Sequence, residues 1–301
     1  GYGRIVRDCE GSVTRIVEGR RNPDKPVGAA PLGAPRTPFN GALTAHRHVG
    51  FARVPLADVK AVKNHFGVTV NDVVLALCSG TVRRYLQGRD ALPAASLTAV
   101  CPISVRDGAE VQSANRVSAM FTSLATDIDD TAERLRAIAL STKGAKEEHN
   151  AVGADMLRNW AEFAGPNTFN LASRLYSSLG IASSHRPIHN MVISNVPGPS
   201  FPLYYAGAEM VAAYPMGPVM EGAGLNITVM SYRDAIDIGF MVDRELVPDV
   251  WDLVAAAQPA LDDLLRAAGL PTGQDDRPGT RASKATPTRR RTKKKATASR
   301  A

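Results

Sequence analysis

The 301-residue sequence predicts an α/β body, a mixed sheet with helices packed on it, followed by a disordered tail. Three observations carry that prediction. Apolar runs of strand length alternate with stretches of helical periodicity from about residue 48 to 180. The next ninety or so residues are mostly strand-like, without the regular βαβ spacing of a nucleotide-binding fold. Beyond Leu270 there is no aromatic or large apolar residue, so that segment cannot offset its ordering entropy by burial.

The chain opens with GYGRIVRDCEG, which has neither the apolar stretch of a signal peptide nor the Arg/Ser-rich character of a transit peptide, and its first residue is not Met. The expectation is a chain cut or processed at its start. Residues 21–45 hold Pro23, Pro26, Pro31, Pro35 and Pro38 with Gly28, Gly33 and Gly41, too many fixed φ angles and missing donors for helix or sheet; they read as a linker or crossover arm. A short strand is expected over 48–54. A helix follows over 55–65, with Leu56, Val59 and Val62 on one face and a stop at Gly67. A second helix begins at Thr69 and carries Val70, Val73, Val74, Leu77, Val82, Tyr85 and Leu86. Buried strands at 97–105 and 117–124 precede a polar helix over 130–148 and two more helices within 151–180. Strands are expected over 191–196, 209–214, 225–232 and 235–242, the last two forming a tight hairpin at Arg233-Asp234. A closing helix starts behind Val247-Pro248-Asp249, with Trp251, Val254, Leu261, Leu264 and Leu265 as its apolar face, a kink at Pro259 and a stop at Gly269. The division is thus a remnant and arm over 1–45, a body over 46–270 and a tail over 271–301.

Charge is unevenly placed. The tail holds ten Lys and Arg against Asp275 and Asp276, a net +8, which leaves the body at −1 within the total of +7. The basic character therefore does not mark the body as a nucleic-acid binder. RRRTKKK in the tail suits anionic phospholipid at about 1 kcal/mol per basic residue near the surface, or nucleic acid without sequence preference, or a solvated tail of no function. No apolar run reaches the roughly 18 residues of a membrane span. Cys9, Cys78 and Cys101 are odd in number and share no metal-ligand spacing, which fits a reducing cytoplasm, no disulfide framework and no metal.

Three motifs stand out. In GVTVNDVVLALCSGTVRRYL, Thr69 and Asp72 have capping-box spacing, so Asn71 and Asp72 read either as the anchor of their helix or as part of a cleft wall. In MVISNVPGP a strand runs into Ser194-Asn195 and breaks at Pro197; these are ordinary turn residues, or groups placed to hydrogen-bond a developing oxyanion. In EGAGLNITVMSYRDAIDIGFMVD a hairpin carries Asn226 and Thr228 on one side, polar groups that need partners where that face is buried.

Together with TPFNGALTAHRHVGFARVPLADVKAVKNHF, these strings, spread from Thr37 to Leu270, resemble the carboxy-terminal half of the bacterial wax ester synthase/acyl-CoA:diacylglycerol acyltransferase family. The resemblance implies a CoA-dependent acyltransferase fold, similar to condensation domains and chloramphenicol acetyltransferase, with the active-site tunnel between two domains. It implies acyl-CoA as a substrate rather than a cofactor, and diacylglycerol or a long-chain alcohol as acceptor. By resemblance Asn71 and Asp72 match the family's Asn-Asp motif; Ser194, Asn195, Asn226 and Thr228 are candidates for the tunnel wall. The family's His-His-x-x-x-Asp-Gly motif, whose second His is the general base, is absent: no two of His46, His48, His65, His149, His185 and His189 are adjacent. Pro187 also argues against His185 and His189 meeting on one helix. No catalytic residue is therefore assigned in this chain. The expectation is the carboxy-terminal part of an O-acyltransferase, inactive without its amino-terminal catalytic domain. It would be cytoplasmic and peripheral at the inner membrane or a lipid inclusion through the tail, with no specific nucleic-acid partner. The competing expectation is a noncatalytic module that binds acyl-CoA, a membrane surface or a partner chain. Cys78 and Cys101, flanked by apolar residues, read as structural thiols.

Overall fold

The computed structural model describes residues 2–7, 13–19, 33–104, 117–152 and 186–272. Strands β1 (Tyr2–Arg7) and β2 (Val13–Gly19) pair antiparallel, a hairpin in a stretch where the sequence had suggested no element. The body then runs β3 (Arg47–Pro55), α1 (Leu56–Phe66), α2 (Val70–Gln87), β4 (Thr98–Ser104), β5 (Val117–Ser123), α3 (Thr131–Val152) and β6 (Met191–Val196). It continues with the two-residue strands β7 (Tyr204–Tyr205) and β8 (Ala208–Glu209), then β9 (Leu225–Tyr232), β10 (Ala235–Asp243), α4 (Val250–Ala255) and α5 (Ala257–Ala267).

The main sheet has six strands in the order β3-β10-β9-β6-β4-β5, parallel at β4–β6 and β6–β9 and antiparallel elsewhere. It is the mixed sheet the sequence predicted. On one face Leu225, Ile227 and Val229 of β9 lie beside Val242, Phe240 and Ile238 of β10, all fully or almost fully buried. The helices cover this face: Val250 and Val254 of α4 press on Gly50 of β3, α3 lies along β5, and α2 is wedged among α1, α3 and α5. That position makes α2 almost wholly buried from Asp72 to Leu86. Its Cys78 is buried, as is Cys101 of β4, and burial pushes both thiols up to about 12, consistent with structural roles.

Three expectations need correcting. No long strand occupies 209–214; only Ala208–Glu209 pair, and the chain then continues as an extended strap whose polar groups are met by side chains from the sheet. The single closing helix is two, parted at Ala256, so that Pro259 sits in the first turn of α5 where its missing amide costs nothing. Trp251 does not join the apolar face; it is 55% exposed and meets Phe51 edge-on at 5.3 Å.

The described part of the Pro-rich arm, 33–45, is built into the body. Phe39 is fully buried, and the Asn40 amide donates to the carbonyls of His189 (3.3 Å), Asn190 (3.2 Å) and Gly222 (2.8 Å). Asn190 returns a bond from its own amide to Asn40 Oδ1 at 2.8 Å, while its backbone and side chain pair with Thr98 as a strand residue would. The helices expected within 151–180 lie, but for the end of α3, outside the described residues, as does the tail from residue 273.

Candidate functional site

The amino terminus of α2 forms as the spacing predicts. Thr69 accepts from the Asp72 amide at 3.2 Å, and Asp72 Oδ2 accepts from the Thr69 amide at 2.9 Å and its hydroxyl at 2.7 Å, a complete capping box. The other oxygen, Oδ1, accepts from the Thr142 hydroxyl of α3 at 2.6 Å. The carboxylate is thus a clamp between two helices, with both oxygens committed. It also lies on the wall of an open cavity of about 540 Å³, lined by Gly67, Val68, Thr69 and Asp72 on one side and Arg136, Ala139, Leu140, Thr142 and Lys143 of α3 on the other.

Asn71 turns the other way. Its Oδ1 accepts from Asn195 Nδ2 at 3.2 Å, which joins the first motif to the second across 124 residues of sequence. Asn195 reaches α2 because strand alternation puts it on the helix-covered face with Ile193, whereas Ser194 points to the opposite face beside Thr228. Ser194 is half-buried, and among the described residues its hydroxyl has no hydrogen-bond partner.

On that opposite face Asn226 and Thr228 lie beneath the strap rather than beside open space, 3% and 6% exposed. The Asn226 amide donates to Pro218 O at 2.8 Å, and the Thr228 hydroxyl donates to Asn226 Oδ1 at 2.8 Å. The rest of the strap is held in the same way. Ser231 Oγ accepts from the Gly198 amide (3.1 Å), Tyr232 OH accepts from the Leu203 amide (2.9 Å) and donates to Met210 O (2.8 Å), and Asp237 Oδ2 accepts from the Ala213 amide (2.8 Å). Arg53, ion-paired to Asp237 at 3.3 Å, donates to Val211 O. Two glycines allow this contact: a Cβ on Gly239 would stand 1.8 Å from Pro215 O, and one on Gly217 would stand 2.6 Å from the Asn226 amide.

Among the described residues, those the sequence singled out assemble no acid–base pair. His46, His65 and, less fully, His48 face solvent. His189, which only a metal reading had drawn attention to, is part-buried with Nε2 unpartnered and its ring 6.3 Å from Phe121; burial lowers its pKa, so it favours the neutral imidazole. It sits at the beginning of β6, the far end from Ser194, and no local sequence signal marks it. Among the described residues no group of three or more His, Cys, Asp or Glu is placed to hold a metal ion.

The family model described as the WS/DGAT C-terminal domain matches residues 113–265. The chain belongs to the wax ester synthase/diacylglycerol acyltransferase family. A second model, the wax ester synthase/diacylglycerol acyltransferase catalytic domain, matches residues 1–74, a range that takes in the Pro-rich arm and ends just beyond Asn71 and Asp72. Among relatives, a putative diacylglycerol O-acyltransferase of Mycobacterium tuberculosis is 40% identical over 250 residues, covering 83% of this chain and 48% of the relative. The O-acyltransferase WSD of Acinetobacter baylyi is 34% identical over 236 residues, covering 78% and 49%. The solved wax ester synthase/diacylglycerol acyltransferase of Marinobacter aquaeolei superposes with a TM-score of 0.64 at 32% identity, over 79% of this chain and 53% of that one. A cyclization-docking bidomain from Sorangium cellulosum superposes with a TM-score of 0.50 at 13% identity and shares the fold alone. The chain spans about half the length of the curated relatives it matches. The WS/DGAT fold expected from the sequence is thus the fold observed.

Proposed function

We propose that this chain supplies the carboxy-terminal wall of an O-acyltransferase that moves a fatty acyl group from acyl-CoA to diacylglycerol or a long-chain alcohol. The observation that carries the reading is the Asn71–Asn195 bridge, which brings the Asn-Asp motif and the Ser-Asn strand end together in a chain of the WS/DGAT family. The acceptor hydroxyl must lose a proton as its oxygen attacks the thioester carbonyl, and CoA then leaves as the thiol. The sequence holds no His-His-x-x-x-Asp-Gly segment to take that proton, so the base comes from an amino-terminal catalytic domain and this chain alone does not turn over. Its part is positioning. Ser194, on the sheet face opposite the bridge and with no hydrogen-bond partner among the described residues, is the group that hydrogen-bonds the thioester carbonyl or a pantetheine amide; Asn71, Asp72 and Asn195 hold the helix and strand end on which it depends. The +8 tail, suited to anionic headgroups, supports a reaction at the cytoplasmic side of the inner membrane or on a lipid inclusion.

The test is acyl transfer from radiolabelled palmitoyl-CoA to diacylglycerol and to hexadecanol, with this chain alone and joined to a His-His-bearing amino-terminal domain. Product from the joined protein only is the expected outcome. Product from the chain alone refutes the assignment of the base, and none from either leaves a binding module as the better account.

A further inference from the structure

The outer side of the strap has a different chemistry from the side that faces the sheet. Every residue from Phe201 to Glu209 is exposed, including both strands of the β7–β8 hairpin. Its turn takes positive φ at Ala206 (49°) and Gly207 (83°), and nothing lies within 4 Å of where a Gly207 Cβ would be; the hairpin is a projecting finger, not a flat face. Among the described residues, eight of the thirteen exposed large apolar side chains fall in 196–220, led by Tyr205 at 86%, Tyr204 at 64% and Phe201 at 62%. In those 25 residues Glu209 is the single charge, and it is ion-paired with Arg233 at the finger's base. Such an uncharged apolar projection is unusual on a surface that faces only water. It is also held from below, by the Leu203 amide on Tyr232 OH and the Met210 amide on Leu203 O, so it does not fold back to hide itself.

We propose that this finger, residues 201–209, enters the headgroup layer of an anionic lipid surface. Its chemistry fits that occupant in three respects. Tyr rings place an apolar body in the acyl boundary while the phenol stays wet, and two adjacent tyrosines make up the strand that leads into the tip. The finger brings no unpaired charge that would have to be desolvated. The same chain carries a net +8 over 271–301, and a shallow apolar insertion together with a polybasic segment gives the pair of weak signals that stable peripheral attachment needs. No single described helix is long and apolar enough to cross a membrane. The inference rests on the reading that the acceptor is a lipid held in such a surface: the finger starts seven residues after Ser194, and its insertion would bring the end of β6 to the acceptor.

The test uses the full chain with vesicles of phosphatidylcholine and phosphatidylglycerol at about 7:3, read by co-sedimentation at about 0.1 and about 0.5 M salt. Tyr204→Asp combined with Tyr205→Asp alters two exposed side chains, and unchanged circular dichroism confirms the fold. This double variant is expected to partition roughly tenfold more weakly at both salt levels. Removal of 273–301 is expected to weaken binding chiefly at low salt. Tyr205→Trp is expected to bind as the parent chain does, with an emission blue shift on adding vesicles that the parent lacks. Unchanged partitioning of the double variant, or an unshifted emission from the Tyr205→Trp variant, overturns the proposal. So does a double variant that keeps its vesicle binding but loses self-association, an outcome that would make the finger a protein contact. None of these readouts requires acyl transfer, so failure here and failure of the acyltransferase reading are told apart.

Discussion

On β9 and β10, residues one position apart meet different surroundings. Ile227 and Phe240 face the helices, and Thr228 and Gly239 face the strap. The helix side is filled by close-packed aliphatic and aromatic groups, which attract without regard to direction. The strap side is held by hydroxyl, amide and carboxylate groups that reach named backbone atoms, and by two glycines that let the chain lie against the sheet. The first arrangement decides whether the sheet forms; the second decides where a segment with little burial of its own comes to rest.

Substitutions on the two sides should therefore separate. Phe240→Ala, opening a cavity in the helix side, is expected to cost about 3–5 kcal/mol of global stability in urea unfolding, a large part of what a domain of this size holds. Asp237→Ala removes the acceptor for the Ala213 amide and the partner of Arg53; the expected cost is about 1–3 kcal/mol. Its sharper signature is faster proteolysis within 210–218 under conditions where the sheet stays intact. A loss as large as that of Phe240→Ala, with no local cleavage, would erase the distinction between the faces. Asp72→Ala breaks the capping box and the bond from Thr142, for about 1–2 kcal/mol. A double-mutant cycle on Asn71→Ala and Asn195→Ala is expected to give a coupling of about 0.5–1 kcal/mol, and zero coupling would remove the bridge from the argument.

Acidification should give the smallest effects. Burial acts to raise the Asp243 carboxyl, but bonds donated by the Thr44 amide and hydroxyl and the Glu245 and Leu246 amides outweigh it and hold it below the usual range. Its contribution is present above about pH 4 and is lost as pH falls through the lower folded value. His189, lowered by burial, gives stability that declines as pH drops below about 6.5, where the unfolded chain takes up the proton first. The change in melting temperature between pH 7.5 and 5.5 should shrink in His189→Gln, whereas Asp243→Asn should lower the whole curve and keep the parent's slope.

Much of the sheet was legible because its strands are bounded by turns and carry a clear apolar pattern: 191–196, 225–232 and the hairpin into β10 fall where alternation placed them. Thr69 and Asp72 were legible because a capping box is a local device, closed within four residues. The strap was not. Its stretch EMVAAY looks like a strand, yet its partners are Arg53, Asn226, Tyr232 and Asp237 from three different strands, a pattern with no period to detect. The same cause hid the bonds that Asn226 gives to Pro218 and Thr228 gives to Asn226 beneath the strap. Proline content marked 21–45 as irregular, but could not reveal that Phe39 is a core residue, since a buried arm and a free one share that composition.

The mutual bonds of Asn40 and Asn190 set an order of events as well as a structure. Their partners lie 149 to 182 residues from Asn40, so closing them before the sheet exists would mean ordering half the chain for a handful of hydrogen bonds. Hairpin β9–β10 and the helix pair α1–α2 carry no such burden. The arm is therefore expected to fasten late, after the folding transition state, and to come loose early on the way out. Asn190→Ala should accelerate unfolding in a stopped-flow chevron while leaving the refolding limb nearly unmoved, so that this pair governs how long the protein stays folded more than how fast it folds.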